Sequence, residues 1–219
     1  MSMRDKSQAG ITPHTRNLLI AARLFFGLLT LAALGRQFMV AVDNGHVANY
    51  FSFFTILSNL FAAVVLIVGT VYLFRRRQPS AADDIVRGSA VVAMAIVGLI
   101  FGLLLSRMEN AGVIPWINFV THYLMPVVMV VDWLLQPPKS KLVPRHIGLW
   151  LIYPIAYLIY SLIRGAIVAW YPYWFIDPNK APGGWSGVAL YSVAISIGFL
   201  VVSGLLLFLG NRLRRRVVY

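Results

Sequence analysis

Apolar residues gather into six long runs, at 17–41, 51–74, 86–105, 113–135, 147–169 and 188–210, parted by short polar connections. Each run is close to the ~20 residues that cross ~30 Å of hydrocarbon at a helical rise of ~1.5 Å per residue. The runs are continuously apolar and lack the two-residue alternation of a barrel strand, so the pattern predicts helices, which satisfy their backbone groups internally. The expected fold is all-α, an integral membrane bundle of six transmembrane helices forming a single domain over 1–219. The loops are too short for a second one. The first run follows a basic stretch, as a signal peptide would, but it is too long for one and contains Arg23; it is expected to remain as a span.

Polar positions inside the runs carry more information than the runs themselves. Thr55, Ser58 and Asn59 share one face of the second helix, and Ser52 joins them a turn earlier. Asn118, Thr121 and His122 repeat the spacing on the fourth. Helical rise sets Thr55 and Asn118 about 6 Å, and Asn59 and His122 about 12 Å, below the same membrane boundary. Polar groups in lipid are costly, and ionisable ones commonly mark a site, so meeting of the two faces would create a polar pocket within the bundle. The plainer reading is interhelical hydrogen bonding by Ser, Thr and Asn, worth ~0.6 kcal/mol each. Gly98 and Gly102 in the third run and Ser192, Ser196, Ser203 and Gly204 in the sixth read as close-packing faces. Pro126 is expected to kink the fourth helix.

Composition agrees with the pattern: 59% of residues are hydrophobic, 12% are charged, and the mean hydropathy is +0.77. Charge adds orientation. Nineteen Lys and Arg face seven Asp and Glu, a net +12. Most of the basic residues sit in the N-terminal segment, the second-to-third connection (Arg75, Arg76, Arg77), the fourth-to-fifth (Lys139, Lys141, Arg145) and the C-terminal tail. By the positive-inside rule this places both termini in the cytoplasm. The excess then reports topology and contact with anionic lipid headgroups at the cytoplasmic face, not nucleic acid. In this frame Arg23 snorkels to the cytoplasmic interface, and Asp132 beside Trp133 reads as an interfacial anchor. The aromatic stretch at 170–185 reads as an outer interfacial belt, or as a lid over the pocket. Cysteine is absent, which excludes disulfides, thiolate metal sites and a Cys nucleophile. Short loops and missing cysteine fit a bacterial inner membrane.

Several chemistries can be weighed against these residues. Retinal binding needs a Lys within a span, and all four Lys lie outside. A bis-His haem needs two His at one depth, and only His122 is inside a run. A metal site would require carboxylates near His122, and an ion-coupled carrier an acidic residue or broken helices near the midplane. No cofactor and no metal are therefore expected. What remains is a hydroxyl beside an imidazole: Thr55 or Ser58 as nucleophile, His122 as base, and Asn59 or Asn118 as oxyanion donor.

The stretches Phe51-Ser52-Phe53-Phe54-Thr55-Ile56-Leu57-Ser58-Asn59-Leu60 and Asn118-Phe119-Val120-Thr121-His122-Tyr123-Leu124-Met125-Pro126 resemble the androgen-induced protein and androgen-dependent TFPI-regulating protein family. Its members are multi-span hydrolases of fatty acid esters of hydroxy fatty acids. Uncharacterised bacterial six-span relatives share the pattern, and Tyr153-Pro154, Arg164-Gly165 and the segment from Tyr171 to Asp177 resemble those relatives most. The likeness covers most of the chain as topology and these short stretches as motif. It implies a Thr55 nucleophile, a His122 base, a supporting Asn118 and a lipid ester substrate; the depth of these residues leads us to expect its entry from the outer leaflet. Arg36 and Arg164 would bind a substrate carboxylate or anchor in headgroups. Asp177 would orient one of these arginines or lie in a solvated loop. The competing expectation is a non-enzymatic lipid-binding or transport protein in which Thr55, Asn59, Asn118 and His122 only hold a headgroup.

Overall fold

The computed structural model describes residues 12–107 and 114–217, with side chains as far as Arg214. Arg4, Lys6, Val113 and the side chains of Arg215 and Arg216 lie outside the described residues. Regular structure among these residues is helical: α1 (Pro13–Asp43), α2 (Val47–Tyr50), α3 (Phe54–Phe74), α4 (Ala81–Ile100), α5 (Pro115–Phe119), α6 (Met125–Leu135), α7 (Arg145–Val168) and α8 (Trp185–Val217). A π-helical turn at Phe101–Leu105 prolongs α4, and a second at Val120–Leu124 welds α5 to α6. Among the described residues six helices are long and apolar enough to cross a membrane: α1, α3, α4 with its π turn, α5 through α6, α7 and α8. The chain is a multi-pass helical membrane protein.

The ends of the spans show where polar residues extend a helix past its apolar run. α1 starts at Pro13, whose missing N–H costs nothing at that position, behind a Thr12 hydroxyl that accepts the Thr15 N–H at 3.3 Å. α4 begins at Ala81, a turn before the expected 86, because Ser80 and Asp83 form a capping box: Ser80 Oγ accepts from Asp83 N at 3.2 Å, and the Asp83 carboxylate accepts from Ser80 N at 2.7 Å. That extension brings Asp84 into the third span, one turn before Arg87.

α4 is the central helix, packed against α3, α6, α7 and α8. Ala90, Val91, Val92, Ala93 and Met94 are all buried in succession. Lipid is as apolar as leucine, so close packing and hydrogen bonds, not hydrophobic transfer, hold such helices together. Gly88 permits one such close contact. A Cβ there would collide with the indole of Trp150 on α7, which is buried and donates from Nε1 to the Ile85 carbonyl at 2.8 Å. Of the other glycines read as packing positions, Gly98 meets Pro126, where a Cβ would stand 2.9 Å from the Pro126 Cβ, whereas Gly102 and Gly204 face open space. The irregularity expected at Pro126 takes the form of the π turn just before it. Proline has no N–H to offer the His122 carbonyl, so the widened turn absorbs the missing rung.

The largest departure from expectation lies at the other end of the fourth span. Arg23 does not snorkel. It is buried at 5% exposure, and its guanidinium grips Asp132 with both arms, from Nε at 2.6 Å and from Nη2 at 2.9 Å. Asp132, itself 7% exposed, is thus no interfacial anchor. Arg87 approaches the same carboxylate at 3.4 Å, donates to the Asp132 carbonyl at 3.2 Å and to the Gln136 carbonyl, and lies 4.9 Å over the Trp133 ring. Gly69 on α3 makes room, since a Cβ there would stand 2.8 Å from Arg23 Nη1. Charge taken out of water on α1 and α4 is therefore compensated on α6, with α3 shaped to admit it. Removing the common partner by Asp132→Ala should cost about 3–5 kcal/mol, because two buried cations lose their counter-ion. The triple change Arg23→Met, Arg87→Met, Asp132→Leu should cost far less. Thermal unfolding midpoints in detergent micelles compare the two.

Candidate functional site

The chain enters α3 through Phe53, which is extended and offers no side-chain cap. The first N–H groups of any helix lack intrahelical acceptors. Here the acceptor comes from the connection between α7 and α8: the Tyr173 hydroxyl takes the Thr55 N–H at 3.3 Å and lies 3.4 Å from Thr55 Oγ1. Burial raises the Tyr173 phenol above its usual range, with the bonds to Thr55 only partly offsetting this. It therefore stays protonated, with an O–H able to donate while its oxygen accepts from Thr55. The connection is more than an interfacial belt. Tyr171, Phe175, Ile176 and Asp177 are buried, Tyr173 stacks on Phe175 with centroids 5.2 Å apart, and Gly165 on α7 is bare because a Cβ would enter the Tyr171 ring. The segment forms a lid, the second of its two expected readings.

Beneath this lid lies a cavity of about 160 Å³, walled by α3, α4, α7 and α8 and by the lid itself. Its lining is almost entirely apolar, with Thr55, Tyr157, Tyr173, Ser192 and Ser196 the polar exceptions. The wall residues Ile155 of α7 and Leu200 of α8 are 52% and 49% exposed, so the cavity opens sideways between these helices toward lipid. Pro154 lies at the same place in α7, where it breaks the hydrogen-bond ladder.

The hydroxyl face of α3 meets partners that differ from those its spacing implied. Ser58 Oγ pairs with Tyr153 at 3.0 Å, Ser52 Oγ with Tyr160 at 2.8 Å, and the Ser52 carbonyl accepts from Tyr157 at 2.8 Å. Tyr153, Tyr157 and Tyr160 form a helical stripe on α7, a signal present in the sequence that a search for charged and small polar residues passes over. Ser58 is fully buried and spent in this pairing. It does not line the cavity; Thr55 does.

Asn59 joins the second span to the fourth. Its Nδ2 donates to the Thr55 carbonyl at 2.9 Å and to the Thr121 carbonyl at 3.1 Å. Both amide protons are thus committed, which removes Asn59 as an oxyanion donor in this arrangement. His122 follows the residue whose carbonyl Asn59 holds, and Asn59 lies one turn beyond Thr55 on α3. No hydrogen bond links Thr55 and His122. The imidazole Nδ1 lies 3.2 Å from Thr121 Oγ1 and 3.3 Å from the Asn118 carbonyl, and Thr121 Oγ1 in turn donates to the Ile117 carbonyl at 2.9 Å. Two oxygens around Nδ1 select the tautomer protonated there, which leaves Nε2 unprotonated. Asn118 thus contributes through its backbone. Its Oδ1 is buried with no hydrogen-bond partner. Phe101 connects the two regions: it lines the cavity and stacks on His122 with centroids 4.0 Å apart and planes 22° from parallel.

The charged residues expected near the substrate lie elsewhere. Arg36 is exposed on α1. Arg164 donates from Nη2 to Asn49 Oδ1 at 2.7 Å and sits 5.1 Å over the Trp170 ring, tying α7 to α2. Neither lines the cavity. Asp177 neither orients an arginine nor lies in a solvated loop. It is buried at 6% exposure, accepts the Asn179 N–H at 2.9 Å and has Lys180 at 3.5 Å, so it shapes the turn that ends the lid. Among the described residues no group of His, Asp and Glu could hold a metal ion.

Compared with family models, curated proteins and solved structures, the chain matches none. The site must therefore be read from its own geometry. Tyr173→Phe should remove the acceptor at the start of α3 at a cost of about 1 kcal/mol. Hydrogen–deuterium exchange should then accelerate at the Thr55 amide and across residues 169–184, with α6 unchanged.

Proposed function

We propose that the protein is an intramembrane hydrolase of lipid esters, of the kind that cleaves fatty acid esters of hydroxy fatty acids, with Thr55 as nucleophile. The observation that carries this reading is the Thr55 hydroxyl, set in the wall of an apolar cavity that opens between α7 and α8. An acyl chain enters sideways and its ester carbonyl comes to rest at the first turn of α3, where the positive end of the helix dipole favours developing negative charge. The Tyr173 hydroxyl beside it donates to the carbonyl oxygen, the role first assigned to Asn59 or Asn118. Thr55 Oγ1 attacks the carbonyl carbon as its proton passes to Nε2 of His122. The tetrahedral intermediate collapses, the alcohol leaves with that proton, and water then hydrolyses the acyl-threonine. His122 must come within reach of Thr55, so the step includes displacement of Phe101 from between the cavity and the imidazole. The likeness of the segments around Thr55 and His122 to the family of threonine hydrolases supports the same pair. In this reading both termini are cytoplasmic, the lid end faces outward, and the host is a bacterial inner membrane.

One observation favours a second reading, lipid binding or transport without cleavage: Thr55 and His122 share no hydrogen bond, and each is satisfied by other groups. The two readings separate cleanly. With purified protein in detergent, a hydrolase releases free fatty acid from an ester of a hydroxy fatty acid and reacts with a fluorophosphonate at Thr55. Thr55→Ala should abolish both, and His122→Ala should slow them by about 10²-fold or more, the usual contribution of a general base. Leu200→Trp, which fills the mouth of the cavity, should raise KM more than it lowers kcat. Retention of a fluorescent fatty acid by wild-type protein with no release and no labelling would decide for the binding protein.

A further inference from the structure

A second and larger cavity, of about 380 Å³, lies at the basic end of the bundle between α1, α3 and α4 and the segment after α6. Its lining has two parts. Val64, Val68 and Val86 form an apolar wall, and all three are more than 40% exposed, so the cavity is open to the hydrocarbon side. Above them the rim carries Arg16, Arg76, Arg77 and Lys139, with Arg23 and Arg87 at the back.

Asp83 and Asp84 also line the cavity, and these carboxylates, like the neighbouring Asp132, are already engaged. Asp132 is held by Arg23 and Arg87. Asp83 accepts from the Ser80 N–H and hydroxyl and from Tyr72, and Asp84 accepts the Ser140 N–H at 2.8 Å. Among the described residues, Arg16, Arg76, Arg77 and Lys139 have no carboxylate within ion-pair distance, the recorded pairs being Arg23–Asp132, Arg87–Asp132 and Lys180–Asp177. Arg16 Nε is buried with no acceptor, and Arg77 lies 4.9 Å over the Tyr72 ring. Arg76 is held at φ 54°, a left-handed conformation uncommon for a side-chain-bearing residue.

We infer that this cavity is a binding site for an anionic phospholipid, with the phosphate between Arg16, Arg76 and Lys139 and an acyl chain along the valine wall. The division of the lining matches an amphiphile: cations at one level, exposed aliphatic surface at the next, and an opening where lipid already stands. Basic pockets between transmembrane helices are the sites at which anionic headgroups are held. The site is independent of the catalytic reading and lies at the opposite end of α3 from Thr55.

The test uses the full chain in neutral maltoside micelles, with phosphatidylglycerol and phosphatidylcholine of identical acyl chains titrated in and bound lipid counted by native mass spectrometry. Phosphatidylglycerol should bind at least about tenfold tighter than phosphatidylcholine, and Arg16→Gln with Lys139→Gln should remove most of that difference. Lys141→Gln with Arg145→Gln, which removes the same charge from the same end outside the cavity, should leave it intact. Arg76→Gly, which suits the left-handed backbone, provides an independent loss of one rim cation and should weaken phosphatidylglycerol alone. Equal binding of the two lipids, or equal loss in the two charge-matched double variants, overturns the inference. Displacement of phosphatidylglycerol by an equal concentration of inorganic phosphate overturns it as well, since the site would then take a free anion without its lipid.

Discussion

The rest of the bundle depends on one constraint, that a carboxylate and two guanidinium groups buried within a membrane domain must find one another. Arg23, Arg87 and Asp132 come from three different spans, and an unpaired member would face a desolvation cost larger than most packing terms. Meeting that requirement sets the rotation of α1, α4 and α6 about their axes and their register along the membrane normal. Gly69 and the Arg87–Trp133 contact are adjustments around it. Once α4 is fixed, its small and branched residues define the surfaces on which α3, α7 and α8 pack.

At the opposite end the organising need is smaller in energy. α3 begins without a side-chain cap of its own, and a tyrosine from a connection far along the chain completes it. The same contact closes the cavity and places a protonated hydroxyl beside Thr55. A helix cap and a wall of the cavity are thus one side chain. Tyr153, Tyr157 and Tyr160 extend the arrangement along α7, so the second span is bound to the fifth through hydroxyls and to the fourth through the single amide of Asn59.

Much of the architecture was legible in the sequence because lipid imposes a length and a polarity on every span. The ends were less so. Ser80 and Asp83 look like loop residues by hydropathy, yet their reciprocal hydrogen bonds carry the third helix a turn further. Thr55 and His122 could be picked out, since polar residues in a span stand against an apolar background. Their partners could not. Spacing shows which residues share a helix face, but not which neighbouring helix that face meets, and here it meets the tyrosine stripe of α7. Arg23 and Asp132, 109 positions apart, each have an ordinary interfacial explanation, and only three-dimensional pairing removes it. Asp177 likewise looks like a solvent-facing loop acid until the lid folds over it.

The paired π turns carry a consequence of their own. Each such turn is a helix with one residue more than its ladder needs, and the two meet where Phe101 stacks on His122. In the fourth span the extra residue separates the phase of Asn118 and Thr121 from that of Asp132. A regular helix through the same stretch would rotate one half by about 100° against the other, so that either the imidazole or the buried carboxylate would be turned toward lipid. The irregularity works as a phase shifter, letting one continuous rod serve two unrelated geometries at its two ends. Change around His122 can therefore accumulate without disturbing the ionic anchor on which the bundle rests.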